Sequence, residues 1–353
     1  MPQSPAIEFD AVTKNYGDQR VVNDLNLTIP SGKITVFVGP SGCGKTTSLR
    51  MINRMVEPSS GQIRLHGQPN TALAAHQLRR SIGYVLQQAG LMPHQTVEDN
   101  IATVPRLKGV SKAQARQKAR ELLKTVGLDP SYAQKYPAQL SGGQAQRVGV
   151  ARALAGDSDI LLMDEPFSAI DPVVRADLQQ TLLALQQKFQ NTIVFVTHDI
   201  DEAILLGDNL AVFAPGGTLA QVGSPEEILR APASDYVASF LGRDRGLRRL
   251  TFASGQNLPL HPLSAAQEQG WQLKIHDGRP DGWLFAGRHL PGGSLFSPGG
   301  SLREALDSVL SSPSGWGVAI DEQGLAKGLL AAEDLLATSR RECASRYGLE
   351  GAQ

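Results

Sequence analysis

The 353-residue chain carries 34 Lys and Arg against 34 Asp and Glu, a formal net charge of +0, which lacks the basic excess of a nucleic-acid binder. No apolar run approaches the ~18 residues of a membrane span and no signal-peptide pattern opens the sequence, so the expectation is a soluble protein that stays in the cytoplasm. Two cysteines, Cys43 and Cys343, give neither a disulfide framework nor a metal-ligand spacing, and the length suits two domains.

In chain order, Ile7 to Ile29 alternates as short strands: Ile7–Phe9, Val21–Val22 and Leu25–Ile29. Tyr16 lies between the first two, placed either to stack on a base or to pack an edge strand. Ile34–Val38 reads as a buried strand. It leads into Gly39-Pro40-Ser41-Gly42-Cys43-Gly44-Lys45-Thr46, with Thr47 following, and a helix predicted over Lys45–Met55. Strand, glycine loop and helix stand in the order that a phosphate loop requires. Its backbone N–H groups and helix N-terminus would wrap a polyphosphate. Lys45 would reach the β- and γ-phosphates, and the Thr46 hydroxyl would hold Mg²⁺. The reading is a nucleoside triphosphate site. Cys43 sits inside this loop, where a helix N-terminus can lower a thiol pKa; the alternative is a buried, inert thiol.

Strands are predicted at Gln62–His66 and Ile82–Gln87, the second delivering Gln87 either to Mg²⁺ and the γ-phosphate or to a surface loop. A helix from Ser111 to Val126 has Ser111 as cap and Gly127 as stop, with Arg116, Lys118, Arg120 and Lys124 on a solvated face. Leu140-Ser141-Gly142-Gly143-Gln144 opens another helix, and its N–H groups suit an anion. Ile160–Met163 is an apolar strand closed by Asp164-Glu165, where Asp164 would hold Mg²⁺ and Glu165 would polarise an attacking water. Asp171-Pro172 caps a helix to about Phe189, and Thr192–Thr197 delivers His198 to a strand end, where α/β sheets bind ligands.

These pieces, in this order, resemble the nucleotide-binding subunit of an ATP-binding-cassette (ABC) transporter over Ile7 to Gly242. Within that superfamily, Leu78–His94, Asp164–Pro172 and Thr192–Ile204 are similar to importers of quaternary-amine osmoprotectants such as glycine betaine, choline and carnitine. Ser168, Ile170 and Ala145 depart from the family's commoner Gly, Leu and Gln, with no expected catalytic consequence. The resemblance implies an α/β phosphate-loop ATPase domain with a helical signature subdomain. It implies ATP and Mg²⁺ as cofactors, with Glu165, His198 and Gln87 catalytic and Thr46, Gln87 and Asp164 around Mg²⁺. Tyr16, the 39–47 loop, Ser141–Gln144 and Asp171 would contact nucleotide. Two copies would pair head to tail and drive two integral-membrane permease subunits, whose coupling helices meet Gln87–Ile101. The resemblance further implies an extracytoplasmic solute-binding protein acting indirectly, no nucleic acid, and a peripheral place on the cytoplasmic face of a bacterial inner membrane. A repair ATPase would need a long coil between loop and signature, and a translation ATPase would need two cassettes; neither is present.

The expected second domain, 243–353, begins with the basic run Arg243, Arg245, Arg248 and Arg249. Residues 294–339 follow a β-α-β-β-α order and resemble a CBS repeat, the partner repeat being degenerate and confined to about Leu250–Leu290. At Ala331 and Asp334, nucleotide-binding repeats commonly carry Thr and Asp. The missing Thr favours a module without adenosine, and Asp334 then serves the first turn of its helix.

Overall fold

The computed structural model describes residues 5–168 and 170–346, so Ala169, the outer ends of both expected domains and the Cys343 side chain lie outside the described residues. Two compact units divide between Phe240 and Leu241.

In the first unit, β1 (Pro5–Tyr16) and β2 (Gln19–Pro30) pair antiparallel, Ile7 opposite Ile29 and Phe9 opposite Leu27. The three short runs expected there are two twelve-residue strands, broken in register where Ala11 and Asp24 take left-handed φ. After them come β3 (Ile34–Val38) and α1 (Lys45–Ile52). Strands β4 (Ser60–Leu65) and β5 (Gln68–Pro69) then complete a four-stranded sheet in the order β2-β1-β4-β5. Helix α1 ends three residues earlier than expected. Arg54 turns left-handed (φ 57°), the Met55 and Val56 N–H groups donate back to the Arg50 carbonyl, and Met55 is exposed.

The chain continues through α2 (Ala75–Ser81), β6 (Ile82–Val85), α3 (Val97–Leu107), α4 (Lys112–Thr125), α5 (Gly142–Ala155), β7 (Ile160–Asp164) and α6 (Pro172–Phe189). It then passes through β8 (Thr192–Thr197), α7 (Ile200–Leu206), β9 (Asn209–Ala214), β10 (Thr218–Gly223), α8 (Pro225–Arg230) and α9 (Asp235–Leu241). Six strands form the central sheet in the order β10-β9-β3-β8-β7-β6, parallel except for β10 at one edge. Every residue of β3, β7 and β8 is buried, as in a parallel sheet covered on both faces. Phe37 anchors the core between Phe9 and Phe213, with ring centroids 6.4 and 5.2 Å away.

The basic stripe on α4 is solvated only in part: Arg120 and Lys124 are exposed, whereas Arg116 and Lys118 are half-buried and paired. Arg116 forks onto Asp99 at 2.9 and 2.7 Å and reaches Glu98 at 3.3 Å, while Arg120 meets Glu98 at 2.9 Å. Lys118 pairs with Asp157. Glu98 is fully buried, so the arginines neutralise a carboxylate that α3 could not otherwise bury.

The second unit contains α10 (Arg245–Arg249), then β11 (Trp271–His276), β12 (Arg279–Phe285) and β13 (Arg288–Leu290) as an antiparallel meander. Asp277-Gly278 and Ala286-Gly287 all take positive φ, the conformation of two-residue hairpin turns. The strands expected for a degenerate first repeat are therefore present, but no α-helix lies between Leu250 and Leu290 among the described residues. Beyond them, β14 (Leu295–Phe296) runs parallel to β15 (Gly317–Ile320), which pairs antiparallel with β16 (Ala326–Leu330). Helices α11 (Leu302–Ser311) and α12 (Ala332–Arg346) complete this β-α-β-β-α unit over a core of Phe296, Leu302, Val309, Leu330 and Leu335. Asp334 stands in the first turn of α12, where its carboxylate lies 2.7 Å from Nε2 of His261. The sequence had offered no such partner.

Candidate nucleotide site

Strand order decides what meets. With β3, β8, β7 and β6 adjacent and parallel, their C-terminal ends deliver the 39–47 loop, His198, Asp164-Glu165 and Gln87 to one edge of the sheet. The glycines of the loop are required by close approach. A Cβ on Gly39 would stand 2.5 Å from the Phe213 carbonyl oxygen, and one on Gly44 (φ 92°) would stand 2.5 Å from that of Val21.

Within the loop, the buried Lys45 ammonium donates to the carbonyls of Gly39 at 2.7 Å and Pro40 at 2.8 Å, which fixes it along the inner side of the turn. Cys43 is 2% exposed, and burial pushes its thiol pKa up despite the neighbouring Lys45 ammonium. The low-pKa, reactive thiol anticipated from the helix N-terminus is thus corrected: loss of solvation outweighs the nearby positive charge.

Thr46 Oγ1 donates to Asp164 Oδ1 at 2.8 Å. The other oxygen, Asp164 Oδ2, accepts from Arg50 at 3.1 Å and from the Tyr84 hydroxyl at 3.3 Å. Burial, reinforced by the Asp164 charge, raises the Tyr84 pKa to about 12, so the phenol remains a donor at neutral pH. Arg50 and Tyr84 were not foreseen. They lie 114 and 80 residues from Asp164, and no periodicity connects them.

Glu165 has a left-handed backbone (φ 45°), an uncommon conformation for a glutamate. Its N–H donates to the Val196 carbonyl at 3.1 Å, and its Oε2 lies 3.2 Å from Nδ1 of His198. Ser168 Oγ donates to the Glu165 carbonyl at 3.0 Å and accepts from the Gln87 amide at 3.1 Å. Gln87, Glu165 and His198 therefore belong to one hydrogen-bonded group. Ser168, which looked like a neutral departure, is the bridge. Such a group can orient a water and accept its proton beside a polyphosphate held by the loop. The Thr46 hydroxyl and the Asp164 carboxylate, in contact at 2.8 Å, are oxygen donors of the kind a hard divalent cation takes.

The remaining candidates stand apart from this group. Ser141 caps α5 and accepts from Gln144 N–H, while Gln144 Oε1 accepts from Ser141 N–H and its amide donates to the Tyr132 hydroxyl. Ser141 and Gly142 are exposed, and no hydrogen bond joins Ser141–Gln144 to residues 39–47 among the described residues. Asp171 caps α6 by accepting from Val173 N–H at 3.0 Å. Tyr16 ends β1 half exposed, with the Lys14 ammonium 4.8 Å from its ring centroid. Ser41 and Gly42 are exposed on the loop, and Thr47 is partly buried behind it.

The family model for the ABC transporter matches residues 22–168. The osmoprotectant import ATP-binding protein OsmV of Salmonella typhimurium is 39% identical over 95% of this chain and 97% of its own. The chain belongs to the ATP-binding proteins of ABC transporters. This cassette is an ATP-hydrolysing transport enzyme with the α/β phosphate-loop fold. It is also 48% identical to the carnitine transport ATP-binding protein OpuCA of Listeria monocytogenes, over 76% of this chain and 68% of that one. Among solved structures, the MJ0796 cassette, a dimer bound to ADP and Pi, superposes with a TM-score of 0.57 at 32% identity, covering 62% of this chain and 98% of its own.

Proposed function

We propose that the cassette powers an importer of a quaternary-amine osmoprotectant such as glycine betaine, choline or carnitine. The observation that carries this reading is the similarity to OsmV across 95% of the chain, second unit included. Two copies would pair head to tail, each ATP lying between one copy's 39–47 loop and the other's Ser141-Gly142-Gly143. That arrangement accounts for a signature that stands exposed and apart from its own loop. Two membrane permease subunits and, indirectly, an extracytoplasmic solute-binding protein complete the system, with the cassette peripheral at the cytoplasmic face. No helix among the described residues is long and apolar enough to cross a membrane.

At the site, Tyr16 stacks on adenine, and Lys45 with the N–H groups of residues 39–47 binds the phosphates. Mg²⁺, held by Thr46, Asp164 and Gln87, would supply neutralisation of the charge on the β- and γ-phosphate oxygens. Arg50 and Tyr84 fix Asp164. Glu165 accepts the proton of the attacking water, His198 holds the Glu165 carboxylate, and Asp171 contacts the partner copy.

The 295–346 order supports a CBS-like unit. Ala331 has no hydroxyl and Asp334 is already paired with His261, so we read it as a module responsive to ionic strength rather than to an adenine nucleotide. The test is uptake of labelled glycine betaine, choline, carnitine and, as control, an amino acid. It uses vesicles containing the permease subunits, at low and high internal salt, with the full chain and a version ending at Gly242. Saturable, ATP-dependent uptake of a quaternary amine with a salt response flattened by truncation is expected. Uptake of the amino acid alone would refute the substrate, and an equal salt response in both versions would refute the sensor.

A further inference from the structure

The loop that carries Gln87 is gripped from the side by the signature helix. Gln146, Gly149 and Arg152 succeed one another three residues apart on α5 and form a stripe along one side of that helix. Gln146 is 3% exposed; its Nε2 donates to the Leu86 carbonyl at 3.2 Å and its Oε1 accepts from the Ala89 N–H at 3.2 Å. Arg152 donates through Nη1 to the Gly90 carbonyl and through Nη2 to the Ala89 carbonyl, both at 2.7 Å. Between these two side chains, a Cβ on Gly149 would meet Ala89 at 3.6 Å, so the helix and loop backbones already lie in contact. Four hydrogen bonds from two side chains thus hold the segment on both sides of Gln87.

The partners of Arg152 are unusual for a guanidinium. No carboxylate pairs with it among the described residues, and burial lowers its pKa. A charge kept partly out of water against two neutral carbonyls, with no carboxylate among the described residues to neutralise it, is held there by these two hydrogen bonds alone. What the fork does provide is a fixed geometry for two consecutive carbonyls of the loop.

We propose that Gln146 and Arg152 are positioning residues for ATP hydrolysis, setting the place of Gln87 relative to the signature helix. Any displacement of α5 is carried to Gln87 through these bonds, and any displacement of the loop is carried back to Ser141–Gly143 at the head of the same helix. This inference rests on the reading of Gln87 as a hydrolytic residue. It adds a physical link between Gln87 and the signature that neither sequence motif contains.

The experiment compares Arg152→Met, Arg152→Lys and Gln146→Leu in the full chain, each alone and in a Gln87→Ala background. It measures MgATP turnover, thermal midpoint and amide hydrogen exchange over residues 86–90. Arg152→Met is expected to lower kcat by about tenfold or more while KM stays within about threefold, with partial recovery in Arg152→Lys. The Ala89 amide, which Arg152 does not touch, should exchange about tenfold faster. In the Gln87→Ala background the same substitution should change kcat by less than about twofold, because residues acting through one another are not additive. Unchanged exchange at Ala89, or full additivity with Gln87→Ala, overturns the proposal. Wild-type turnover in Gln87→Ala alone, with faster loop exchange in Arg152→Met, would instead remove the role of Gln87 and leave the grip standing. Should Arg152→Met fail to fold, Gln146→Leu carries the same cycle through the Leu86 carbonyl.

Discussion

If Glu165 is the general base proposed above, Glu165→Gln should separate binding from hydrolysis at this site. The substitution keeps the size of the side chain and a polar atom within reach of His198, 3.2 Å away. It leaves untouched the backbone bond from Glu165 N–H to the Val196 carbonyl and the Ser168 bridge to Gln87. What is lost is a carboxylate able to take a proton. Removing a positioned general base costs about 10² to 10⁴ in rate, equivalent to about 3–5 kcal/mol of transition-state stabilisation. The folded state should scarcely register the change, because the His198 ring is largely exposed and a solvent-screened pair of this kind contributes at most about 1 kcal/mol. Phosphate release at saturating MgATP should therefore fall by at least about 10², with nucleotide affinity and thermal midpoint close to wild type. Because bound ATP then persists, size-exclusion chromatography with ATP should show more dimer for the variant than for the wild type. Near wild-type phosphate release would refute the assignment. A loss of turnover that merely followed a loss of ATP binding would refute it equally.

Removing the fully buried Glu98 takes away the acceptor shared by Arg116, Arg120 and Gln134, but Arg116 keeps Asp99 and Arg120 reaches solvent, so Glu98→Ala should lower stability in chemical denaturation by about 1–2 kcal/mol. Cys43 should resist maleimide in the native protein and label only on unfolding; with Cys343→Ala as the background, loss of ATPase at the rate of labelling would contradict the buried thiol. Glu202 is buried against Gln179, and burial raises its pKa above the usual carboxylate value. Its contribution to stability is therefore fully present below the ordinary carboxylate pKa and is lost as pH rises through the raised one. Glu202→Gln should accordingly melt above wild type at pH 8, with the gap closing as pH falls toward the ordinary carboxylate range; a gap independent of pH would exclude the titration as its cause.

The groups expected to touch nucleotide were legible because chemistry restricts them twice, in residue type and in local spacing. A loop that wraps phosphates needs glycines where Gly39 and Gly44 approach carbonyl oxygens, and needs Lys45 and Thr46 immediately after. The groups that hold those residues in place carry no such restriction. Arg50, Tyr84 and Ser168 reach their partners across 114, 80 and 81 residues, so each reads in the sequence as an ordinary helix, strand or turn residue. The α4 arginines misled for the same reason, since a basic stripe with 3.6-residue spacing looks alike whether it faces water or Glu98. In the second unit the signal was present and was outweighed. Asp277-Gly278 marks a tight hairpin between two strands, a local signal that fits the β11-β12-β13 meander and not a repeat containing helices. Ser168 shows why a departure from the family pattern is not automatically neutral. Its hydroxyl ties the Gln87 amide to the Glu165 backbone, a bond that the glycine common at this position could not make. The Asp164 and Glu165 strand end is thus held by hydroxyl, amide and guanidinium contacts from Thr46, Tyr84, Ser168 and Arg50, residues that the chain order alone leaves far apart.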